Sequence, residues 1–280
     1  MMRRSTFLFV SIVLMILLPS LGLAAEGNAT GEKLSTDSND DIAFFLLQLQ
    51  AEIQGSLNDR DALVADAAER LSAAGLEGEK ARKILQSLNA SGFIGAATIS
   101  PQGKKLTVEP SQFRAAEGTI VNQTIWSSFI KSKDPFMSQI IRLVEGNDAV
   151  TLVYPVLSPA DNFTGAVCAN MPPNEFLEAI IAPKLEGTPF DVWVIQKDGR
   201  ILYDSNSDEE GLMLLSDPLF KPYPTLLDVG RKMIAERSGM GSYNFFLDEE
   251  YTQNETKEVY WTTVGLHGND WRLAVTRAAE

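Results

Sequence analysis

The stretch Asp191-Val-Trp-Val-Ile-Gln-Lys-Asp-Gly-Arg-Ile-Leu-Tyr-Asp204 reads as two short strands about a tight turn. β-Branched and aromatic residues fill Val192 to Ile195, Lys197-Asp198-Gly199 supplies the reversal, and Ile201 to Tyr203 return. Such runs on either side of Asp-Gly mark an antiparallel hairpin. Towards the C-terminus follow a helical region from Asp217 to Arg237 and strands at Ser242 to Leu247, Lys257 to Gly265 and Trp271 to Thr276. Towards the N-terminus the same order occurs once before. Phe93 to Ile99 and Lys104 to Val108 form a hairpin, Thr124 to Lys131 a short helix, and Ser138 to Val144, Ala149 to Leu157 and Phe163 to Asn170 three strands. A helix opened by Pro172, Pro173 and Asn174 joins the two units. This weak internal repeat predicts an α+β fold with two antiparallel sheet modules in tandem.

Ahead of the first unit, Ile42, Phe45, Leu46, Leu49, Ile53, Leu57, Val64, Ala68 and Leu71 recur at helical spacing. They predict one long amphipathic helix, or two broken near Asn58, followed by a shorter one carrying Ile84, Leu85 and Leu88. The stripe serves to cover a sheet or to form a dimer seam. The N-terminus has Arg3 and Arg4, an apolar run from Phe7 to Leu18, and small residues up to Ala25, the layout of a secretory signal peptide cleaved after Ala24. The alternative is an uncleaved membrane anchor interrupted by Pro19. The expected organisation is a signal peptide over 1–24, a linker over 25–40, a helical segment over 41–91, a membrane-distal module over 92–185 and a membrane-proximal module over 186–280. Asn-x-Ser/Thr sequons at Asn28, Asn89, Asn122, Asn162 and Asn254 suit a glycosylated, extracytoplasmic protein.

Composition removes several functions. Among 280 residues, 24 Lys and Arg face 37 Asp and Glu, a net charge of −13 that disfavours a nucleic-acid partner. Cys168 and His267 are the only residues of their kinds, so internal disulfides and Cys/His zinc clusters are excluded. The chain has no Gly-x-Ser-x-Gly elbow and no phosphate-cradling glycine loop. His267 reads as a turn residue, Cys168 as a buried thiol, Asp204 and Arg272 as an ion pair, and the Asp208 and Asp248 acidic clusters as solvated faces. Neither a cofactor nor a metal is expected.

The hairpin from Val192, the stretches Gly211-Leu212, Asp217-Pro-Leu-Phe220 and Gly241-Ser-Tyr-Asn-Phe245, and the strands from Val259 and Trp271 together resemble the Cache family of extracytoplasmic sensor domains, which are PAS-like. Tyr154-Pro-Val156, Phe163-Thr-Gly-Ala-Val167 and the helix after Asn170 are similar to the end of a distal Cache module, so a double Cache arrangement spans roughly 41 to 277. The resemblance implies a small solute held between a sheet and its overlying helices and loops. Amino-acid-binding members pair an Arg-x-Trp element with an Asp; here Trp126 matches the Trp, but Thr124 and Asn170 stand where the charged residues would be. The candidate ligand-binding residues are Trp126, Tyr154 and Asn170, against a core contact, a buried tyrosine and a helix N-cap respectively. With both charged handles missing, and Arg142 and Lys131 the only nearby cations, the expected solute is neutral or weakly polar.

The resulting expectation is a non-enzymatic solute-binding or sensing protein, secreted or on the outer face of the membrane. The chain ends at Glu280, four residues past Thr276, so no output domain of its own is expected. A membrane tether through an uncleaved leader, a homodimer through the long helix, or a separate membrane signalling partner would complete it. The alternatives are a secreted acid/base hydrolase using paired carboxylates and a structural envelope or dimerisation protein.

Overall fold

In the computed structural model, which describes residues 38–143, 146–246 and 254–279, helix α1 runs unbroken over Ser38–Ala74. Its 37 residues extend about 55 Å at the usual rise per residue. The signal peptide, its cleavage point, Asn28 and the linker up to residue 37 lie outside the described residues, as does the Asp248 cluster. Ser38 to Asp40, expected as linker, are helical, and Asn58 does not interrupt the helix. The helix ends at Gly75, whose N–H makes the last helical bond, to the Leu71 carbonyl, and whose positive φ turns the chain out of the helix. Helix α2 (Gly78–Ala90) folds back beside α1 and buries Ala81, Ile84, Leu85 and Leu88.

The first sheet uses β1 (Gly95–Ile99) and β2 (Lys105–Glu109), then a 3-10 segment at Ser111–Ala116 and helix α3 (Gln123–Ser132). β3 (Phe136–Met137), β4 (Ile141–Arg142), β5 (Asp148–Leu157) and β6 (Phe163–Met171) complete it. The order is β2-β1-β6-β5-β3, with β4 also on β5, and these strands pair antiparallel. Helix α4 (Pro173–Leu185) leads to β7 (Asp191–Gln196), β8 (Ile201–Asp204), helix α5 (Pro224–Ala235), β9 (Gly239–Phe246), β10 (Asn254–Leu266) and β11 (Asn269–Ala278). The second sheet has the corresponding order β8-β7-β11-β10-β9, also antiparallel. The α+β class and the two PAS-like sheets match the expectation.

One strand expectation is corrected. Ser138 to Val144 is not a strand of that length: two-residue pairings flank a crossing at Ser138–Ile140. There the Ile140 N–H donates to Gln196 Oε1 at 2.8 Å, and Asn269 Nδ2 donates to the Ser138 carbonyl. Side chains of the second sheet thus occupy backbone groups that a longer strand would have used.

Period-two alternation gives each sheet two apolar faces. One face of both packs on α1, in a core that runs from Ile42, Leu49, Ile53 and Leu57 through Leu152, Val167 and Ala169 to Val192, Val194, Leu273 and Val275. The opposite faces are covered separately, by α3 and its neighbouring loops in the first sheet and by α5 with the loops preceding it in the second. No described helix is long and apolar enough to cross a membrane.

Candidate functional site

A cavity of about 380 Å³ lies on the covered face of the first sheet. Its floor is made of small side chains in two cross-strand rows, Gly95–Asn170–Thr151 and Ala97–Cys168–Val153. Because none of these six projects far, space remains between this part of the sheet and its cover. Ile125 and Trp126 of α3 and Phe113 of the 3-10 segment form the roof, while Phe136, Ile141 and Arg142 close one side and Lys105 and Ile120 the other. The result is an apolar chamber with a few polar groups, the usual composition of a small-molecule site.

Helix α3 is placed by its own N-cap. Asn122 Oδ1 accepts from the Thr124 and Ile125 N–H groups, at 3.0 and 3.3 Å. One turn on, Trp126 is buried with its ring 5.2 Å from Phe129, and its Nε1 donates to the Pro101 carbonyl at 3.1 Å. The hairpin turn approaches the indole closely at Gly103, where a Cβ would lie 2.9 Å from the ring and φ is +81°. Trp126 therefore offers the cavity a fixed aromatic surface, its N–H already used. Asn170 does not cap α4; its Oδ1 accepts from Thr151 Oγ1 at 2.8 Å. The Nδ2 group of Asn170 lies beside Gly95, facing the same floor.

Tyr154 is not part of this site. Thr151 and Val153 of β5 face the cavity, so Leu152 and Tyr154 project to the α1 side. There the Tyr154 hydroxyl lies 3.5 Å from His267 Nε2, which is 2.7 Å from Asp61 Oδ1. Burial, reinforced by the neighbouring Asp61 carboxylate, pushes the phenol well above its ordinary range, so Tyr154 stays protonated. His267 is the turn residue expected, with a φ of +52°, between β10 and β11.

The cavity's charges differ from those anticipated. Arg142 is on the wall, where its Nη1 is 3.3 Å from Asp148 Oδ1; Lys131 is exposed on α3 and does not line the cavity, whereas Lys105 does. Thr124 is exposed rather than on the wall. Glu109 is the one carboxylate among the lining residues, and it is engaged by Arg82 Nη1 at 2.7 Å and Arg114 Nε at 3.0 Å. Burial acts to raise the Glu109 carboxyl, but hydrogen bonds from Arg82 and Arg114 outweigh it and hold the pKa below the ordinary value. The expected Asp204–Arg272 ion pair is also absent: Arg272 Nε donates to the Met233 and Glu236 carbonyls at the end of α5, and Asp204 accepts from the Asn206 N–H.

Residues 55–173 match the model of the HK/GC/chemotaxis protein-like sensor domain. No curated protein matches the chain. Among solved structures, an extracellular ligand-binding receptor from Desulfohalobium retbaense is 29% identical over 85% of this chain, with a TM-score of 0.70; the match spans only 40% of the receptor. The ligand-binding domain of the Pseudomonas aeruginosa amino acid chemoreceptor PctB, in complex with L-Gln, is 15% identical with a TM-score of 0.59, covering 85% of this chain and 90% of that one. The sensory domain of the Campylobacter jejuni chemoreceptor Tlp3 with isoleucine bound is 14% identical with a TM-score of 0.62, covering 86% and 93%. The family match lies in the helices and sheet that precede the Asp191 hairpin, and the solved sensor domains share the fold of both sheets.

Proposed function

We propose that this double Cache chain is an extracytoplasmic, non-catalytic sensor module that takes a small solute into the cavity beside Trp126 and Asn170. One observation carries the reading: a chamber of about 380 Å³ is kept open by Gly95, Ala97, Cys168 and Asn170 where the other sheet is filled. PctB and Tlp3, of the same fold, are described with L-Gln and isoleucine bound, which supports a small solute here. An α-amino acid fits this cavity poorly, because the one lining carboxylate is already committed to Arg82 and Arg114 and would not pair an ammonium. A neutral or weakly polar solute suits the apolar wall and the Asn170 amide. Lys105 and Arg142 favour a second reading, in which the solute carries an anionic end at this wall.

A thermal-shift screen of small metabolites tests the binding, since any ligand of the folded state stabilises it in proportion to RT ln(1 + [L]/Kd). Trp126→Ala and Asn170→Ala are each expected to weaken the solute that emerges by roughly tenfold, on the order of 1.4 kcal/mol. Unchanged affinity in both variants would remove the solute from this cavity. Tight binding of a standard α-amino acid that both variants lose would overturn the ligand class while keeping the site. A homodimer through α1 is a separate proposal, supported by Phe44 and Leu47, which remain 62% and 58% exposed; a monomer by sedimentation would remove it.

A further inference from the structure

The floor of the cavity under α3 carries two polar side chains that fix each other's hydrogen-bonding roles. Thr151 and Asn170 stand opposite one another across β5 and β6, and the Thr151 hydroxyl donates to Asn170 Oδ1 at 2.8 Å. A threonine hydroxyl has a single proton, so once it is spent the oxygen can only accept. The Asn170 amide is the converse: its oxygen is engaged, while no described residue accepts from the protons of Nδ2. Asn170 is only half-buried although β6 lies between β1 and β5, because its neighbour on β1 is Gly95. A Cβ at Gly95 would stand 3.6 Å from Nδ2 and 3.5 Å from the Phe113 ring, so the amide and the ring border the same gap. The charges of the cavity are committed or distant. Glu109 is held by Arg82 and Arg114, and Arg142 pairs with Asp148. Lys105 pairs with Ile99, four residues along β1 from Gly95, which sets its backbone about 13 Å further down the sheet.

We infer that the cavity selects an uncharged carboxamide on an apolar body, its carbonyl oxygen accepting from Asn170 Nδ2 and its N–H donating to the Thr151 oxygen. The inference rests on the reading of this cavity as the solute site and narrows it to one functional group. A carboxamide carries an acceptor and a donor side by side without charge, the complement of the Asn170–Thr151 pair. A carboxylate would set a lone pair against the Thr151 oxygen, and an ammonium would set protons against those of Asn170. Either ion would also lie at this end of the floor without a countercharge. The rings of Phe113 and Trp126 in the roof suit a flat aromatic body.

The test is calorimetric titration of the protein with four probes that share one ring: benzamide, acetophenone, benzoate and benzylamine. Benzamide is expected to bind saturably, with benzoate and benzylamine at least about tenfold weaker. Acetophenone keeps the carbonyl but replaces the amide nitrogen by a methyl group, and should also be about tenfold weaker. That last difference should vanish in Thr151→Val and return in Thr151→Ser, which isolates the accepting oxygen from any general loss of packing. Acetophenone binding the parent protein as tightly as benzamide would overturn the inference even if Thr151→Val failed to fold. No saturable binding of benzamide would overturn it too. Tighter binding of benzoate or benzylamine, lost in Ala97→Leu, would overturn the carboxamide and leave the cavity as the solute site. Benzamide bound equally well by Ala97→Leu would lie elsewhere, overturning the inference together with the reading beneath it.

Discussion

The two sheets share a strand order and a supporting helix, yet one is hollow under its cover and the other is solid. On the first sheet the covered face presents Gly95, Ala97, Cys168 and Asn170. On the second, the corresponding face carries Trp193, Ile195, Tyr243 and Trp261, which pack against Phe220, Leu226, Val229 and Met233. Trp261 is large enough that β9 must be bare beneath it: a Cβ at Gly239 would lie 2.3 Å from the indole. Binding capacity in this fold therefore depends on side-chain volume along one face rather than on topology, which the two sheets have in common.

Exchanging volume between the faces should exchange their properties. The largest effect is expected from Trp261→Ala, which removes a side chain only 2% exposed and should cost about 3–5 kcal/mol in denaturant unfolding. A loss below roughly 1 kcal/mol would mean that the second sheet is not held by its filled face. The mirror change, Ala97→Leu, places a branched side chain on the floor of the cavity. It should reduce solute affinity by at least tenfold, on the order of 1.4 kcal/mol, with stability close to that of the parent. Retained affinity would show that the chamber is not where the solute sits.

The solid sheet also carries the more perturbed acid. Burial raises the Asp204 carboxyl to about 7, with Glu209 and Asp191 adding to the rise and the Asn206 N–H and Lys257 opposing it. The folded protein then holds a proton that the unfolded chain releases from about pH 4 upward. Asp204 thus contributes most below that pH, and its contribution declines as pH rises through about 7. Asp204→Asn should raise the melting temperature by roughly 2–4 °C at pH 8 and by nothing near pH 4. Equal gains at both would refute the titration. The smallest effect is expected at Tyr154, on the shared face. Tyr154→Phe should leave solute affinity unchanged and lower stability by no more than about 1 kcal/mol, measured by titration and by melting.

What the sequence disclosed follows from the same contrast. Hairpins announced by Asp-Gly or Pro-Gln-Gly, and the stripe from Ile42 to Leu71, are local signals, and the structure has these elements. Trp126 and Asn170 are singled out by the resemblance alone, and both line one chamber. Tyr154 was misplaced because Ala149 to Val153 are all buried, so β5 gives no polar-apolar alternation from which to read its two faces. Ser138 to Val144 looked like a strand because the partners that divert it, Gln196 and Asn269, are distant in sequence. Lys105 and Glu109 carried no motif.

The helix α1 places both sheets in one cooperative unit. Its apolar stripe is covered partly by the first sheet and partly by the second, so releasing either would bare leucines and isoleucines that have no other shelter. The two halves are therefore expected to melt together, in a single calorimetric transition, with the amides in the middle of α1 exchanging with solvent only when the whole body opens. Neither half is a portable part: a chain cut after α4 would carry with it the helix that its severed sequel needs.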